Sequence, residues 1–171
     1  MQRAIEDVFL FQGAAMASRH LTAAAGEHFV CYALSMLGFN AALVRQGTPF
    51  IDILASNDSG SRTIGIQVKS TAWAQRERGR GAARKVAELQ FPLGHKIIEK
   101  AASETVTCFV DLKQGEGGER PVVYVVPTVD LKAHFEGEDI RQYRYFRLHR
   151  GVESMDAYRD NWKPVIRALT E

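Results

Sequence analysis

The stretch that decides the fold runs from residue 49 to residue 70 and reads PFIDILASNDSGSRTIGIQVKS. Two apolar runs, Phe50 to Ala55 and Thr63 to Ser70, flank a central segment of Asn, Asp, Ser and Gly residues. Apolar runs that are bounded by such turn-forming residues are typical of β-strands joined by a tight loop. The stretch therefore predicts two neighbouring strands.

Polar side chains interrupt both of these strands. In the second strand the side chains alternate between faces, so Gln67 and Lys69 point to one face and the apolar residues to the other. In the first strand Asp52 interrupts an apolar run, where a carboxylate is costly to bury unless a cation or hydrogen bonds compensate it. Glu27 is a similar acid beside the apolar face of a helix predicted upstream. Two acids, an amide and a lysine are therefore expected to meet at one edge of the sheet.

These polar groups have the composition of a site for phosphodiester hydrolysis. Mg²⁺ favours carboxylate and carbonyl oxygens and keeps several waters. A partial shell for it is offered by the Asp52 carboxylate, the Gln67 amide oxygen, the Val68 carbonyl and, through a water, Glu27. The ion lowers the pKa of a bound water, and Lys69 is suited to orient that water or to stabilise the transition state. The sequence therefore predicts a Mg²⁺ or Mn²⁺ site with these four side chains as catalytic residues.

The rest of the chain alternates helix-like and strand-like segments. A first helix is predicted from Ser18 or Thr22 to Leu37, because apolar residues recur at helical spacing and Gly38 supplies a stop. The further predicted elements are a strand from Ala42 to Arg45, a helix from Leu93 or Gly94 to Ala102, strands from Thr105 to Leu112 and from Pro121 to Val126, a helix from Val129 to Phe135, a strand or loop from Tyr143 to Leu148, and a helix from Ser154 to Leu169 with a kink or break at Pro164.

Two of these predictions concern the arrangement of the elements. The strands after residue 104 are nearly continuous apolar runs, so we expect them to be central and to form a hairpin around Gly115-Glu116-Gly117-Gly118. Residues 72 to 85 are rich in Arg and Gly, and we expect them to form a mobile loop.

The order of elements argues for one α/β domain with a mixed central sheet flanked by helices. A chain of 171 residues, 46% hydrophobic and 25% charged, has the size and composition of a single globular domain. We expect this domain to span residues 1–171, with a core at 18–126 and a C-terminal extension with a helix at 127–171.

The candidate site residues resemble the PD-(D/E)xK nuclease superfamily. Glu27 on an early helix, Pro49-Phe50-Ile51-Asp52, and Gln67-Val68-Lys69 follow the superfamily's motif in the expected order of elements. The resemblance covers roughly the first two thirds of the chain. It implies a restriction-endonuclease-like αβββαβ core, similar to that of restriction enzymes and Holliday-junction resolvases. It also implies a metal-dependent enzyme that cleaves or repairs DNA.

Two departures from the motif leave alternatives open. The acid of the (D/E)xK element is replaced by Gln67, and two residues separate Pro49 from Asp52. Some active members of the superfamily are similar in using Gln at the first of these positions, so the resemblance implies a QxK variant with a weaker metal shell. The alternative function is a non-catalytic DNA-binding or assembly module that retains the nuclease fold. A third is an ordinary α/β protein with a buried polar network.

Each site residue also has a structural interpretation. Lys69 on an edge strand would be an ordinary surface residue with a buried stem. Asp52 would form an ion pair with Lys69 or Arg45. Glu27 would be a solvated helix residue.

The net charge of +2 conceals a segregated pattern. Residues 62 to 100 contain nine basic and three acidic side chains, a net charge of +6, whereas residues 111 to 140 contain three basic and seven acidic ones, a net charge of −4. A basic segment beside the candidate site is suited to a phosphate backbone. The candidate DNA-contacting residues are Arg76, Arg78, Arg80, Arg84, Lys85, His95 and Lys96, with a solvated charged face as the alternative.

Several classes of protein are excluded or disfavoured. Cys31 and Cys108 lie in apolar contexts without metal-ligand spacing, so neither a disulfide scaffold nor structural zinc is indicated. No apolar run approaches about 20 residues, which disfavours a membrane-spanning helix. Residues 8–17 resemble a short signal core, but the acids Glu6 and Asp7 precede them, so we expect a cytoplasmic protein. A homodimer or higher homo-oligomer stays open, because cutting both strands of a duplex often implies symmetry.

Overall fold

The computed structural model describes residues 18–45, 47–48, 50–83, 85–93, 95–100, 102, 104–113, 120–142, 145–149 and 157–171. In chain order its elements are α1 (Arg19–Met36), β1 (Asn40–Leu43), β2 (Ile53–Ser56), β3 (Thr63–Thr71), β4 (Gln75–Arg78), β5 (Lys85–Pro92), α2 (His95–Lys100), β6 (Val106–Asp111), β7 (Val122–Pro127), α3 (Thr128–His134), β8 (Tyr145–His149) and α4 (Lys163–Thr170), with short 3₁₀ turns at Gly81–Ala83 and Ile140–Gln142. Within these ranges no helix is long and apolar enough to cross a membrane.

A mixed sheet of five strands, in the spatial order β1-β2-β3-β6-β7, forms the centre of the structure. Strands β3 and β6 are parallel, and every other neighbouring pair in this sheet is antiparallel. The strand pair predicted from residues 49–70 is present as β2 and β3, with Ile53 opposite Ile66. The expectation of a mixed central sheet is therefore confirmed.

Helix α1 covers one face of the central sheet. Its Val30 is fully buried in a cluster with Ile53 and Ile66, and Val165 of α4 belongs to the same cluster. The helix ends where the sequence predicts. Gly38 adopts φ +86°, a left-handed conformation that ends a helix and that residues with a Cβ rarely adopt. The two terminal helices thus share one face of the sheet.

The other face of the central sheet is covered by a second sheet and by helices α2 and α3. The second sheet has three antiparallel strands in the order β4-β5-β8. Its buried side chains Phe91 and Phe146 contact Phe109 of β6, with ring centroids 5.4 and 4.7 Å apart. Leu131 of α3 completes this aromatic cluster.

The loop predicted for residues 72–85 is wrong, because most of that segment belongs to the hairpin of β4 and β5. Its glycines do not loosen the segment but turn it, since Gly79 and Gly81 both adopt positive φ between the two strands. Strand β4 shows no apolar alternation, because all four of its residues are polar and none of them is buried. The strand is fixed instead by pairing to β5, which buries Leu89 and Phe91.

The expectation that both later apolar strands are central is correct for β6 and wrong for β7, which lies at the edge of the sheet. Strand β7 is nevertheless buried, because a later segment covers its open side. Tyr124 forms a bridge with Arg159, and the Asp160 amide donates to the Val123 carbonyl at 2.7 Å. The continuous apolar run of β7 therefore indicated that the strand is buried, but not where in the sheet it lies.

The final helix is shorter than predicted. Helix α4 begins at Lys163, so Pro164 lies in its first turn, where a missing N–H costs nothing, instead of kinking a longer helix. The predicted residues 154–156 and the Gly115-Glu116-Gly117-Gly118 turn lie outside the described residues. The division into a core at 18–126 and an extension at 127–171 stays a prediction.

Candidate active site

Asp52 lies where the ladder between β2 and β3 ends. Its backbone N–H donates to the Ile66 carbonyl at 2.9 Å, which is the last backbone bond of the antiparallel pair. One step further, the Asp52 side chain replaces the backbone: its Oδ2 accepts the Val68 N–H at 2.7 Å and also the Gln67 Nε2–H. Within the described residues the other oxygen, Oδ1, accepts no hydrogen bond. One carboxylate oxygen is thus anchored while the second is available.

The chain that leads into Asp52 is constrained by strain and by close packing. Phe50 adopts φ +65°, which a bulky residue adopts only when its surroundings enforce it. Ile51 lies against Gly65 of β3, where an added Cβ would be 2.7 Å from the Ile51 Cδ1. Only glycine at position 65 lets Ile51 approach so closely, and this approach fixes Asp52 beside Gln67.

Gln67 and Lys69 lie on the face of β3 opposite the core side chain of Val68, as the alternation predicts. Gln67 is only 6% exposed, and its register partner on the parallel strand β6 is Thr107. The amide nitrogen of Gln67 faces Asp52, which leaves its amide oxygen without a hydrogen bond to any described residue. The structure therefore puts the amide nitrogen beside the Asp52 carboxylate, and the amide oxygen as a cation ligand stays a prediction.

Lys69 is half-buried on the middle strand of the central sheet. The interpretation of Lys69 as an edge-strand residue is therefore wrong. Among the described residues it forms neither a hydrogen bond nor an ion pair, and no ion pair joins Asp52 to Lys69 or Arg45. The ammonium group is thus free to interact with an anion.

A close contact between α1 and β3 brings Glu27 to the same place. A Cβ at Gly26 would lie 2.5 Å from the Ser70 Cβ, so the helix backbone lies directly against the Ser70 side chain. The Ser70 hydroxyl donates to the Thr22 carbonyl at 2.7 Å, one turn earlier on the helix. Glu27 follows directly after this contact and lies next to the strand that carries Lys69.

The pKa of Glu27 shows that these charges interact. Partial burial raises it above the ordinary value, and the nearby Asp52 carboxylate raises it further, whereas His28 and Lys69 lower it. Two carboxylates that repel each other across a small distance are stabilised by a cation between them. Glu27, Asp52 and Lys69 therefore share one electrostatic environment.

The residues present fit a hard divalent cation with few protein ligands. The described residues contain no group of three or more His, Cys, Asp or Glu side chains with metal-binding geometry. Two carboxylates remain as donors, which suits Mg²⁺, because this ion is usually bound by one or two carboxylates and retains several waters. The Val68 carbonyl as a fourth ligand stays a prediction.

The candidate DNA-contacting residues fall into three groups. Arg78, Arg80 and Lys96 are exposed, and Arg78 lies 4.0 Å from the buried Glu88. Arg76 is less available, because its guanidinium donates to Gln90 Oε1 and to two backbone carbonyls. Lys85 begins β5 and His95 begins α2, and Arg84 lies outside the described residues. Trp73, just after β3, is 40% exposed.

Sequence reasoning missed the residues that shape the site without carrying charge. Gly26 and Gly65 permit the two close contacts, and an isolated glycine inside a helical or strand pattern is the signal that would have identified them. Thr107 was also missed, because a lone Thr in the apolar strand β6 carries no such signal.

Comparison with solved structures defines the fold class. The chain is similar to the bacterial homing endonuclease I-Ssp6803I, with 16% sequence identity, 90% of this chain and 95% of that chain covered, and a TM-score of 0.55. It also matches Hjc, a Holliday junction resolvase from Archaeoglobus fulgidus, with 17% identity, 78% and 88% coverage, and a TM-score of 0.43. No protein-family model matches the chain, and no curated protein gives a significant match.

The first of these similarities establishes a restriction-endonuclease-like fold. The αβββαβ order expected from the PD-(D/E)xK resemblance is present as α1, β1, β2, β3, α2 and β6, with the hairpin of β4 and β5 inserted before α2. The fold prediction is therefore confirmed. The Gln67 variant of the motif stays a prediction.

Proposed function

We propose that this protein is a metal-dependent DNA endonuclease that hydrolyses phosphodiester bonds. The proposal is carried by the contact of Gln67 with Asp52 and by the electrostatic interaction of Glu27 with Asp52 and Lys69, within a restriction-endonuclease-like fold. Two acids, an amide and an unpaired lysine are the groups that cation-assisted attack of water on a phosphate requires.

Each residue has a separate part in this reaction. Asp52 Oδ1, the Gln67 amide oxygen, the Val68 carbonyl and Glu27 would hold Mg²⁺ or Mn²⁺, with Glu27 acting through a water. The ion, when bound, lowers the pKa of a water and offsets negative charge on the phosphate. Lys69 would orient the attacking water or donate to a phosphate oxygen as charge develops. The Val68 N–H keeps the Asp52 carboxylate in place throughout.

The proposed substrate is DNA, bound along the basic segment that begins at the candidate catalytic strand. The exposed cations Arg78, Arg80 and Lys96 are available for phosphate contacts. We propose Arg84, Lys85 and His95 as further contacts on the strength of the sequence. Arg76 stays a proposed contact as well, although its guanidinium also donates to Gln90 within the hairpin.

Cleavage assays with the purified full-length chain test the proposal. Plasmid, branched and single-stranded DNA are incubated with Mg²⁺ or Mn²⁺, and with EDTA as the metal-free control. Asp52→Ala and Lys69→Ala should each lower cleavage by about a hundredfold or more, because each removes a group needed in the transition state. Asp58→Ala and Lys113→Ala, which change exposed residues outside the site, should cleave like the wild type. Absence of cleavage of every substrate, or equal cleavage by all four variants, contradicts the catalytic role.

A non-catalytic DNA-binding or assembly module is the second candidate. It is favoured by the hydrogen bond that the Gln67 amide nitrogen donates to the Asp52 carboxylate. In the motif this position holds an acid, which would bind a cation together with Asp52 instead. Such a module would bind DNA with a salt-dependent affinity but would show no cation affinity that depends on Asp52. Gln67→Glu discriminates the two functions: if only this variant binds Mn²⁺ and cleaves DNA, the wild type is the module.

Two further expectations stay predictions. A homodimer or higher homo-oligomer would supply one active site for each strand of a duplex, and sedimentation velocity measures it directly. Fractionation of cells that express the tagged chain tests the expected cytoplasmic location.

A further inference from the structure

Thr107 carries a buried hydroxyl without a partner. Its side chain is fully buried in β6, and its Oγ1 makes no hydrogen bond to any described residue. Buried hydroxyls almost always have a hydrogen-bond partner, so an exception calls for an explanation. A nearby pair shows what is usual in this protein: Thr105 and Thr128 share a hydrogen bond of 2.8 Å.

The position of Thr107 connects it to the candidate active site. Gln67 on β3 is the register partner of Thr107 on β6, and parallel partners direct their side chains to the same face. On the other side of Gln67 lies Asp52, which accepts the Gln67 amide N–H. Asp52, directly before β2, Gln67 on β3 and Thr107 on β6 therefore form a polar row, with Gln67 in the middle.

Gln67 can be satisfied in two ways within this row. Its amide carries one donor end and one acceptor end, and the donor end now faces Asp52. If Gln67 contributes its oxygen to a cation beside Asp52, the nitrogen can no longer face the cation and needs another acceptor. The Thr107 Oγ1 is a buried acceptor on the opposite flank that is not otherwise engaged.

We propose that Thr107 is a positioning residue that receives the Gln67 amide nitrogen when Gln67 turns its oxygen toward a cation. The proposal rests on the proposed function, since it requires Gln67 to be a cation ligand. It explains why a hydroxyl without a partner is retained at this point of an apolar strand. It also gives Gln67, which replaces the acid of the motif, a residue that holds its amide nitrogen when its oxygen binds a cation.

Calorimetric titration of Mn²⁺ alone, without DNA, tests this role in the full-length chain. Thr107→Val replaces the hydroxyl by a methyl group of the same shape and should lower Mn²⁺ affinity about tenfold, in the range seen when the partner of a metal ligand is removed. Its metal-free Tm should be equal to or higher than that of the wild type, because an unpaired buried hydroxyl is lost. Thr107→Ser keeps the hydroxyl and should retain the affinity.

Thr105→Val, at the residue directly before the same strand, is the matched control. It breaks the Thr105–Thr128 hydrogen bond and should lower the Tm without changing Mn²⁺ affinity. A Thr107→Val affinity within about twofold of the wild type, or a lower metal-free Tm of that variant, overturns the role of Thr107. Equal Mn²⁺ binding by the wild type and Asp52→Ala overturns the proposed cation site itself, and with it the role of Thr107.

Discussion

At the scale of single residues, Glu27 gives the clearest electrostatic evidence for a common site. Partial burial and the Asp52 carboxylate both raise its pKa, and they outweigh the opposite effects of His28 and Lys69. The folded protein therefore binds a proton at Glu27 at pH values where the unfolded chain has already released it. Folding stability must then depend on pH through this one residue.

We predict that the free energy of unfolding contributed by Glu27 falls as the pH rises. The folded pKa lies above the ordinary value of 4.5, so the loss begins near 4.5 and is complete once the pH exceeds the folded pKa. Glu27→Gln stays uncharged and should lack this loss. Urea unfolding of both proteins from about pH 4 to about pH 8 measures the difference. Glu136→Gln, at an exposed position, is the control and should follow the wild type. Parallel pH profiles for the wild type and Glu27→Gln would contradict the shift.

The sequence predicted which face of β3 carries Gln67 and Lys69, but not the contacts that these side chains make. Strand alternation put Gln67 and Lys69 on one face of β3, because the period of two is fixed by backbone geometry. The donation of the Gln67 amide nitrogen to Asp52 was not predicted, and the Gln67 amide oxygen as a cation ligand stays a prediction. Which end of an amide faces a carboxylate depends on side-chain torsions that no spacing encodes.

At the scale of elements, two glycines decide how the site is assembled. Gly26 lets α1 pack against Ser70 of β3, and Gly65 lets the Ile51 side chain pack against the same strand. The first contact delivers Glu27 and the second delivers Asp52. Both close contacts with β3 therefore depend on a glycine. In the first contact the glycine lies on the helix, and in the second it lies on β3 itself.

We predict that Gly26→Ala destabilises the protein although alanine favours helices. The added Cβ would meet the Ser70 Cβ at 2.5 Å, and overpacking of this kind costs about 1 to 3 kcal/mol. The double variant Gly26→Ala with Ser70→Gly exchanges the small residue across the contact and should recover part of the loss. Thermal unfolding measures both, with Ser35→Ala on the exposed side of α1 as the control. Equal destabilisation of the single and double variants would show that the contact is not the cause.

The same scale shows why one element was missed. The hairpin of β4 and β5 was predicted as a loop because its sequence is rich in Arg and Gly. Its stability comes from pairing with β8, where Phe91 lies opposite Phe146, 55 positions later in the chain. Local composition carries no record of so distant a partner. Helix α1 and strands β2 and β3 were predictable because their apolar periodicity and their turns are local.

At the scale of the whole molecule, charge is distributed along the chain in blocks. Residues 62–100 carry a net charge of +6 and residues 111–140 a net charge of −4. The exposed cations Arg78 and Arg80 lie at the hairpin that follows the candidate catalytic strand. Outside this segment, Arg120 and Arg141 are paired with acids at 2.9 Å. The block pattern was visible in the sequence, whereas the ion pairs of Arg120, of Arg141 and, at 4.0 Å, of Arg78 with Glu88 were not.

We predict that Arg78 and Arg80 set the salt dependence of DNA binding. Each phosphate contact releases bound counterions, so the logarithm of affinity falls with the logarithm of salt concentration by about 0.9 per contact. The double variant Arg78→Gln with Arg80→Gln should therefore bind more weakly at low salt and have a slope smaller by about two. Fluorescence anisotropy over a salt series, without divalent cation, isolates this effect from any role of the candidate metal site. The matched double variant Arg120→Gln with Arg141→Gln removes the same charge outside the basic segment and should keep the wild-type slope. If both double variants lower the slope equally, net charge alone determines the affinity and the hairpin has no specific part in binding.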